Sequence, residues 1–264
     1  MNTIALITDF GMADGFVGTM KGVISSIAPQ AQVIDVSHES APQHTHHAAY
    51  VLWSSYKYFP EETVFVVVVD PGVGSERRII MVEDNEGKKF LVPENGILRF
   101  ILPELKNPKA FHINNPKYWL TPLSSTFHGR DIFAPVAGHL VNGVRGEQLG
   151  DRIELSIPDS PFQTVDETVE ELQGKILHSD RFGNLITNLR PDFDRLDKLG
   201  NYSLEIGNRS IETIKKTYAD GDYGELLAMA GSAGLIEIAV RNSSAQQMLG
   251  LRIGDPVIIR KSNV

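Results

Sequence analysis

Residues 63–78 read TVFVVVVDPGVGSERR, an apolar run set directly against an aspartate, a glycine-rich turn and two arginines. The run reads as a strand, and it is the third in an alternating series. Upstream, TIALITDF (3–10) reads as a buried strand, GFVGTMKGVISSIAP (15–29) as a helix closed by Pro29, and QVIDVSH (32–38) as a second strand. HHAAYVLWSSYKYF (46–59) reads as a second helix, with Ala49, Leu52, Trp53 and Tyr56 near one face. That β-α-β-α-β order predicts a mostly parallel sheet with flanking helices. RRIIMVEDNEGKKFLVPEN (77–95) follows as a hairpin turning at DNEG. HGRDIFAPVAGHLVNG (128–143) reads as a further helix, in which Pro135 either makes a kink or marks a later start.

The texture changes at IELSIPDSPFQTVDETVEE (153–171), which is rich in proline, serine and acids and reads as a linker. Beyond it, GKILHSD, GNLITNL, YSLEIGN, LIEIAV and DPVIIRK are short β-like runs, parted by Gly, Asn and Asp at barrel- or sandwich-like spacing. The expectation is an α/β domain over 1–157, a linker over 158–168, and a smaller all-β, barrel-like domain over 169–264.

Bulk composition narrows the function classes. A chain of 264 residues, 42% hydrophobic and 22% charged, has the balance of a globular protein with a sizeable core. Its formal net charge of −8 argues against general nucleic-acid binding, which needs a basic face, and mildly favours a cationic small molecule. There are no cysteines, so disulfides, thiolate metal sites and a cysteine nucleophile are excluded. The start MNTIALITDF has no basic region leading into a long apolar stretch, and no window approaches the roughly eighteen apolar residues of a membrane span. The expected location is the cytoplasm, with no membrane contact.

Several constellations carry chemistry. ITDFG places Asp9 at the C-terminal end of the first strand, the edge at which open α/β sheets bind ligands. There it could accept two sugar hydroxyls or simply cap the next helix. DPGVGSERR places Asp70 at the same edge, with Gly72 and Gly74 allowing a tight turn and Arg77 or Arg78 returning to pair with it. No GxxxxGK[ST] pattern is present, so this is not an ordinary phosphate loop. STFHGRDIFAP sets His128 where a helix begins, either to hold a water against a reacting carbon or to cap the helix. His38, His44, His46 and His47 invite a metal reading, but their spacing matches no ligand set, and no metal is expected.

In the second half, HSDRFGNLITN brackets an aromatic and a glycine between Asp180 and Asn184. The segment is a turn that could also present the Asn184 amide to a heteroaromatic base. In GSAGLIEIAV, Ser232 and Glu237 could hold an amino-acid head group, and RNSSAQQMLG reads as a short helix with Ser243 or Ser244 near its cap.

Taken in order, ITDFG, DGFVGTMKGVI, VIDVSHE, FPEETVFVVVVDPGVGSERR, VPENGIL, FHGRDIFAP, DRFGNLITN and GLIEIAVRNSSA resemble the S-adenosyl-L-methionine hydrolase family, the SAM hydroxide adenosyltransferases related to the fluorinase and chlorinase enzymes. The resemblance runs across nearly the whole chain. It implies a two-domain fold and a homotrimer with active sites between the N-terminal domain of one subunit and the C-terminal domain of the next. The implied reaction turns S-adenosyl-L-methionine and water into adenosine and L-methionine, with no cofactor.

By the same resemblance the family's Asp-Arg-His set falls on Asp70, Arg77 and His128, Arg77 matching the family arginine within DPGVGSER. The halogenating relatives carry a tyrosine where this chain has Asp70, which points to water as nucleophile. A halide-dependent adenosyl transferase and a non-catalytic S-adenosylmethionine or nucleoside binder are the competing readings. Asp9 is implied to hold the ribose diol, Asn184 the adenine edge, and Asp180 and Ser232 the methionine end, with Glu237 added there on its chemistry alone. An aromatic two residues after the adenine-binding asparagine is here Ile186, which leaves Phe182 as the candidate for packing on adenine.

Overall fold

Unbroken apolar runs need cover on both faces, and the first half of the chain supplies it. The computed structural model describes residues 2–192 and 201–261, and the chain divides into the units Met1–Asp159 and Ser160–Val264. In the first unit, β1 (Thr3–Thr8) is buried at every position, α1 (Phe16–Ile27) follows, and β2 (Gln32–Ser37) pairs parallel to β1. Then come α2 (Thr45–Ser55) and β3 (Val64–Val68), again buried throughout and parallel to β1 on its other side.

The hairpin of β4 (Ile79–Glu83) and β5 (Lys89–Pro93) forms as its sequence implies, with β5 parallel to β3. Next are β6 (Lys109–His112), α3 (Ala134–Val141), α4 (Gly146–Leu149) and β7 (Arg152–Ile153). The sheet order is β2-β1-β3-β5-β4-β6-β7. Its first four strands are mutually parallel; β4, β6 and β7 add antiparallel neighbours, β4 because the five residues 84–88 that join it to β5 can return the chain only antiparallel.

Strand periodicity sorts the core into two layers. Ile4, Leu6, Val64, Val66 and Val68 face Met20 and Ile24 of α1 and Val136, Ala137 and Leu140 of α3. Phe65 turns the other way, stacking on Phe90 at 5.3 Å between ring centroids, with Phe59 at 5.2 Å from Phe65 and Tyr56 at 5.8 Å from Phe90. The helix expected over 128–143 is regular only from Ala134. Its first turn, Gly129–Phe133, is π-wound, and Pro135 sits in the opening turn of α3, so Pro135 marks a later start.

The second unit is nearly all strand. It contains β8 (Gln163–Val165), β9 (Glu171–Ser179), β10 (Leu185–Thr187), β11 (Leu189–Pro191), β12 (Tyr202–Ile206), β13 (Arg209–Ile211), β14 (Ile214–Lys215), β15 (Leu226–Ala230) and β16 (Ile236–Val240). The short helix α5 (Ala245–Leu249) and β17 (Pro256–Lys261) complete it. Eight strands in the order β13-β12-β17-β9-β10-β16-β15-β14 curl toward closure, with β13 reaching β15. The segment read as linker holds β8, which pairs parallel to β11. LLAMA, whose residues favour helices, is instead β15 and pairs with β16 along its length. Ser244 caps α5, accepting from the Gln247 amide at 3.1 Å.

Phe65 is fully buried between Phe59 and Phe90, so Phe65→Ala is expected to cost about 3–5 kcal/mol. The chain's two tryptophans, Trp53 and Trp119, both lie in the first unit, so urea unfolding followed by their fluorescence should show a lower midpoint at unchanged slope.

Candidate active site

Because β1 and β3 are parallel with Thr8 beside Val68, the residues after both strands leave the sheet at one edge. After Val69 the chain turns sharply. The Val73 amide donates to the Asp70 carbonyl at 3.2 Å and the Ser75 amide to that of Gly72 at 3.1 Å, with the Ser75 hydroxyl donating to the same carbonyl at 2.7 Å. Gly74 has φ +78°, and a Cβ there would fall 2.6 Å from the Ser125 carbonyl oxygen, so the turn requires glycine at this point.

The turn returns Arg77 to Asp70. The guanidinium Nη2 donates to Asp70 Oδ2 in an ion pair whose side chains are only 11% and 4% exposed. Asp70 Oδ1 accepts the Gly72 amide at 3.1 Å, and Arg77 Nη1 donates to the Arg78 carbonyl at 2.7 Å. Arg78 is taken by Glu94, through bonds of 2.6 and 2.8 Å, which settles which arginine pairs with Asp70. Asn95 Nδ2 donates to the Val69 carbonyl at 2.9 Å and pins the end of β3.

His128 arrives from a separate loop. The buried Asp131 carboxylate accepts the Ser124 amide at 2.8 Å and Arg130 Nε at 2.6 Å, and the Phe127 amide donates to the Ser124 hydroxyl at 3.0 Å. Burial raises the Asp131 pKa, but the bonds from Arg130 and Ser124 outweigh it and hold the carboxyl below its usual value. His128 Nδ1 is buried and has no partner among the described residues.

Asp9, Asp70 and His128 line one cleft of about 390 Å³. One wall holds Phe10, Phe16 and Phe127, whose ring centroids lie 5.2 to 5.9 Å apart. Asp9 Oδ2 accepts the Gln43 amide at 2.7 Å and caps no helix: the residue before α1 is Gly15, without a side-chain cap. Behind Asp9, buried His38 holds Thr8 Oγ1 at 2.9 Å through Nδ1 and lies 3.0 Å from Asp35 through Nε2. Burial raises the Asp35 pKa, yet the His38 and Lys21 partners bring it below its ordinary value. His38 is thus part of the framework, and among the described residues no cluster of His, Asp and Glu is arranged to hold a metal.

The second unit holds another cleft, of about 650 Å³, lined by Phe182, Asn184, Tyr218 and Arg241 among others. Asp180 Oδ1 accepts the Phe182 and Asn184 amides, each at 2.9 Å, and Asp180 Oδ2 accepts Asn184 Nδ2 at 2.9 Å. Phe182 is 78% exposed at the cleft, and Ile186 is buried in β10. Glu237 stands opposite Ile186 across the β10–β16 pair and is bound by the Tyr218 hydroxyl. Burial raises the Glu237 pKa, with Asp180 adding to the rise and the Tyr218 bond opposing it. Ser232 is exposed on the tight turn between β15 and β16 and does not line this cleft.

Sequence reasoning therefore located Asp9, Asp70, Arg77 and His128 together, and Phe182, Asn184, Asp180 and Glu237 together. It missed Tyr218, which comes from an irregular segment without a motif, Arg241, which lies within RNSSAQQMLG but was given no role there, and the wall of three phenylalanines, each visible as a lone aromatic in ITDFG, GFVG and STFHG.

Comparison with known proteins covers both units. The family profile for the SAM hydroxide adenosyltransferase N-terminal domain matches residues 4–150, and that for the C-terminal domain matches residues 174–258. An (R)-S-adenosyl-L-methionine hydrolase of Thermus thermophilus is 36% identical, over 97% of this chain and 99% of its own. A fluorinase of Nocardia brasiliensis is more distant, at 25% identity over 97% of this chain and 96% of its own. The crystal structure of a conserved protein from Thermotoga maritima superposes with a TM-score of 0.87 at 37% identity, covering 98% of this chain and all of the other.

Since the Asp131 pKa is lowered on folding, the unfolded chain binds more protons there, and the carboxylate's contribution is complete above its unfolded value of about 4 and lost as pH falls through the folded value. Asp131→Asn is expected to cost about 1–3 kcal/mol at neutral pH. Urea midpoints measured between pH 3 and 7 should fall less steeply toward acid in the variant than in the wild type.

Proposed function

The chain belongs to the SAM hydroxide adenosyltransferase family, and from that premise we propose that it hydrolyses S-adenosyl-L-methionine to adenosine and L-methionine by attack of water at C5′. The observation that carries this reading is the buried Asp70–Arg77 ion pair at the ligand-binding edge of the sheet, in a cleft shared with Asp9 and His128. The relatives' name specifies the R configuration at sulfur, and the R epimer is the substrate assigned here.

The chemistry asks little of an acid. Water oxygen bonds to C5′, the C5′–S pair returns to sulfur, methionine leaves as a neutral thioether, and one proton is released. The protein must place a water in line behind C5′ and favour its deprotonation. In this reading Asp70 and His128 hold and polarise the water, and Arg77 fixes the carboxylate and stabilises hydroxide character. Asp9 accepts the ribose diol. Asn184 meets the adenine edge with Phe182 packed on it, while Asp180, Ser232 and Glu237 serve the methionine end. No step uses a metal or an organic cofactor, and the setting is the cytoplasm.

We further assign the working form as a homotrimer with the site shared between subunits. Support comes from the division of labour: the first unit's cleft carries the Asp-Arg-His set and the second unit's cleft carries the amide. Exposed apolar side chains line both, Phe16 (44%) and Val73 (38%) the first and Phe182 (78%) and Tyr218 (45%) the second.

Three outcomes check these assignments. In ¹⁸O water with chelator, with or without chloride, the protein should yield adenosine labelled at the 5′ oxygen; halogenated nucleoside or intact substrate would overturn the reading. Asp70→Ala should lower kcat by about 10²–10⁴-fold. Mixing inactive Asp70→Ala and Asn184→Ala chains should restore about a quarter of wild-type activity in random heterologous rings, whereas sites confined to one chain would restore none.

A further inference from the structure

An asparagine amide can present either its oxygen or its nitrogen to a ligand, and the difference decides which base edge it accepts. In the second unit three groups choose between them. Asn184 Nδ2 donates to Asp180 Oδ2 at 2.9 Å, and its second proton is directed at the Tyr218 hydroxyl oxygen, 3.5 Å away. The Tyr218 proton is committed elsewhere, because the hydroxyl donates to Glu237 Oε1. Burial first, then the Glu237 hydrogen bond and the Glu237 and Asp180 charges, push the Tyr218 phenol well above its usual value, so it stays protonated.

The surroundings hold this chain in place. The turn Tyr218–Asp220 is capped by Thr217 and by the Asp220 carboxylate, which accepts the Thr217 amide at 3.0 Å. Arg241 Nη1 ties the same turn to β16 through the Gly221 carbonyl at 2.5 Å. Asp180 is fixed by the two backbone amides on its other oxygen. Asn184 Oδ1, by contrast, accepts no hydrogen bond from any described residue, and its side chain lines the 650 Å³ cleft.

We propose that Asp180 and the Tyr218–Glu237 pair are positioning residues that lock the Asn184 amide with its oxygen toward the ligand, so that the cleft selects a 6-amino purine over a 6-oxo purine. This rests on the reading that the cleft takes the adenine end of the substrate. An outward oxygen meets the exocyclic amine of adenine as acceptor to donor; against the carbonyl of a 6-oxo base it meets another acceptor. Asp180 thereby acts on the base through Asn184, a role separable from any contact with methionine. Glu237 likewise acts on the base through Tyr218 and Asn184, a role separate from its place at the methionine end.

An isosteric exchange gives a sharp test. In Asp180→Asn, the retained oxygen still accepts the two loop amides, while nitrogen replaces the oxygen that faced Asn184 Nδ2. The Asn184 amide should then rotate its oxygen inward and its nitrogen outward, and Tyr218→Phe removes the remaining acceptor that would resist. The wild-type full-length protein should bind adenosine more tightly than inosine by about tenfold or more in calorimetry. Tyr218→Phe alone should shrink that ratio, and the Asp180→Asn/Tyr218→Phe pair should invert it.

A wild type that binds the two nucleosides equally, or neither, overturns the inference, as does a double variant with wild-type unfolding midpoint and wild-type preference. If S-adenosyl-L-methionine is hydrolysed while the nucleoside preference ignores these substitutions, only this inference falls. If the preference responds as expected but no turnover occurs, the inference stands and the proposed reaction falls.

Discussion

The parallel pairing of β1 with β3, with Thr8 beside Val68, is the constraint on which the first unit's site depends. Parallel neighbours finish at the same edge, so a residue just past either strand enters the same space. Asp9 and Asp70 are brought together this way although the chain between them winds through α1, β2, α2 and β3. The pairing is in turn enforced by burial. A one-residue slip of β3 would send Val64, Val66 and Val68 from the face under α1 and α3 to the face that holds Phe65. The same slip would move Asp70 along the edge and away from Arg77.

Charge in a nearly closed space needs partners, and each carboxylate near the first cleft has one suited to its task. Asp70 takes Arg77 on one oxygen and a backbone amide on the other. Asp131 takes Arg130 and the Ser124 amide, and so serves the loop that carries His128 rather than the cleft itself. Asp35 serves His38 and Lys21 and supports Thr8. Only Asp9 and Asp70 among these line the cleft, so the acidic balance there comes from residues whose geometry is set by the sheet edge.

Much of this was legible before any coordinates. The continuous apolar runs, their spacing and the DPGVG turn led directly to the strand edge and to Asp70, since they depend on local periodicity and on Pro and Gly conformations. Local patterns failed where long-range pairing overrode propensity. The segment 163–165, read as linker, became a strand because Leu189–Pro191 lies beside it. The residue pattern by itself left Arg77 or Arg78 open and only the family resemblance chose Arg77, because the physical reason is Glu94, sixteen residues on and across the hairpin. Tyr218 escaped for the same kind of reason: its significance lies in Glu237 and Asn184, partners distant from it in sequence.

The character of the first cleft bears on which nucleophile it admits. A water placed beside the Asp70 carboxylate gains a hydrogen-bond acceptor and loses its proton more readily, whereas a halide in the same position faces a like charge. At about 4 Å and an effective dielectric near 20, a bare carboxylate would repel the anion by about 4 kcal/mol, and the paired Arg77 charge reduces that repulsion without supplying the proton acceptor that water finds in Asp70. Arg77, which does not line the cleft, holds Asp70 through Nη2 and the Arg78 carbonyl through Nη1, so the carboxylate is the group of the pair that the cleft presents. In the proposed placement a sulfonium substrate brings positive charge to Asp9 and Asp70 and loses it in the reaction, so the attraction that helps binding is relieved as the products form.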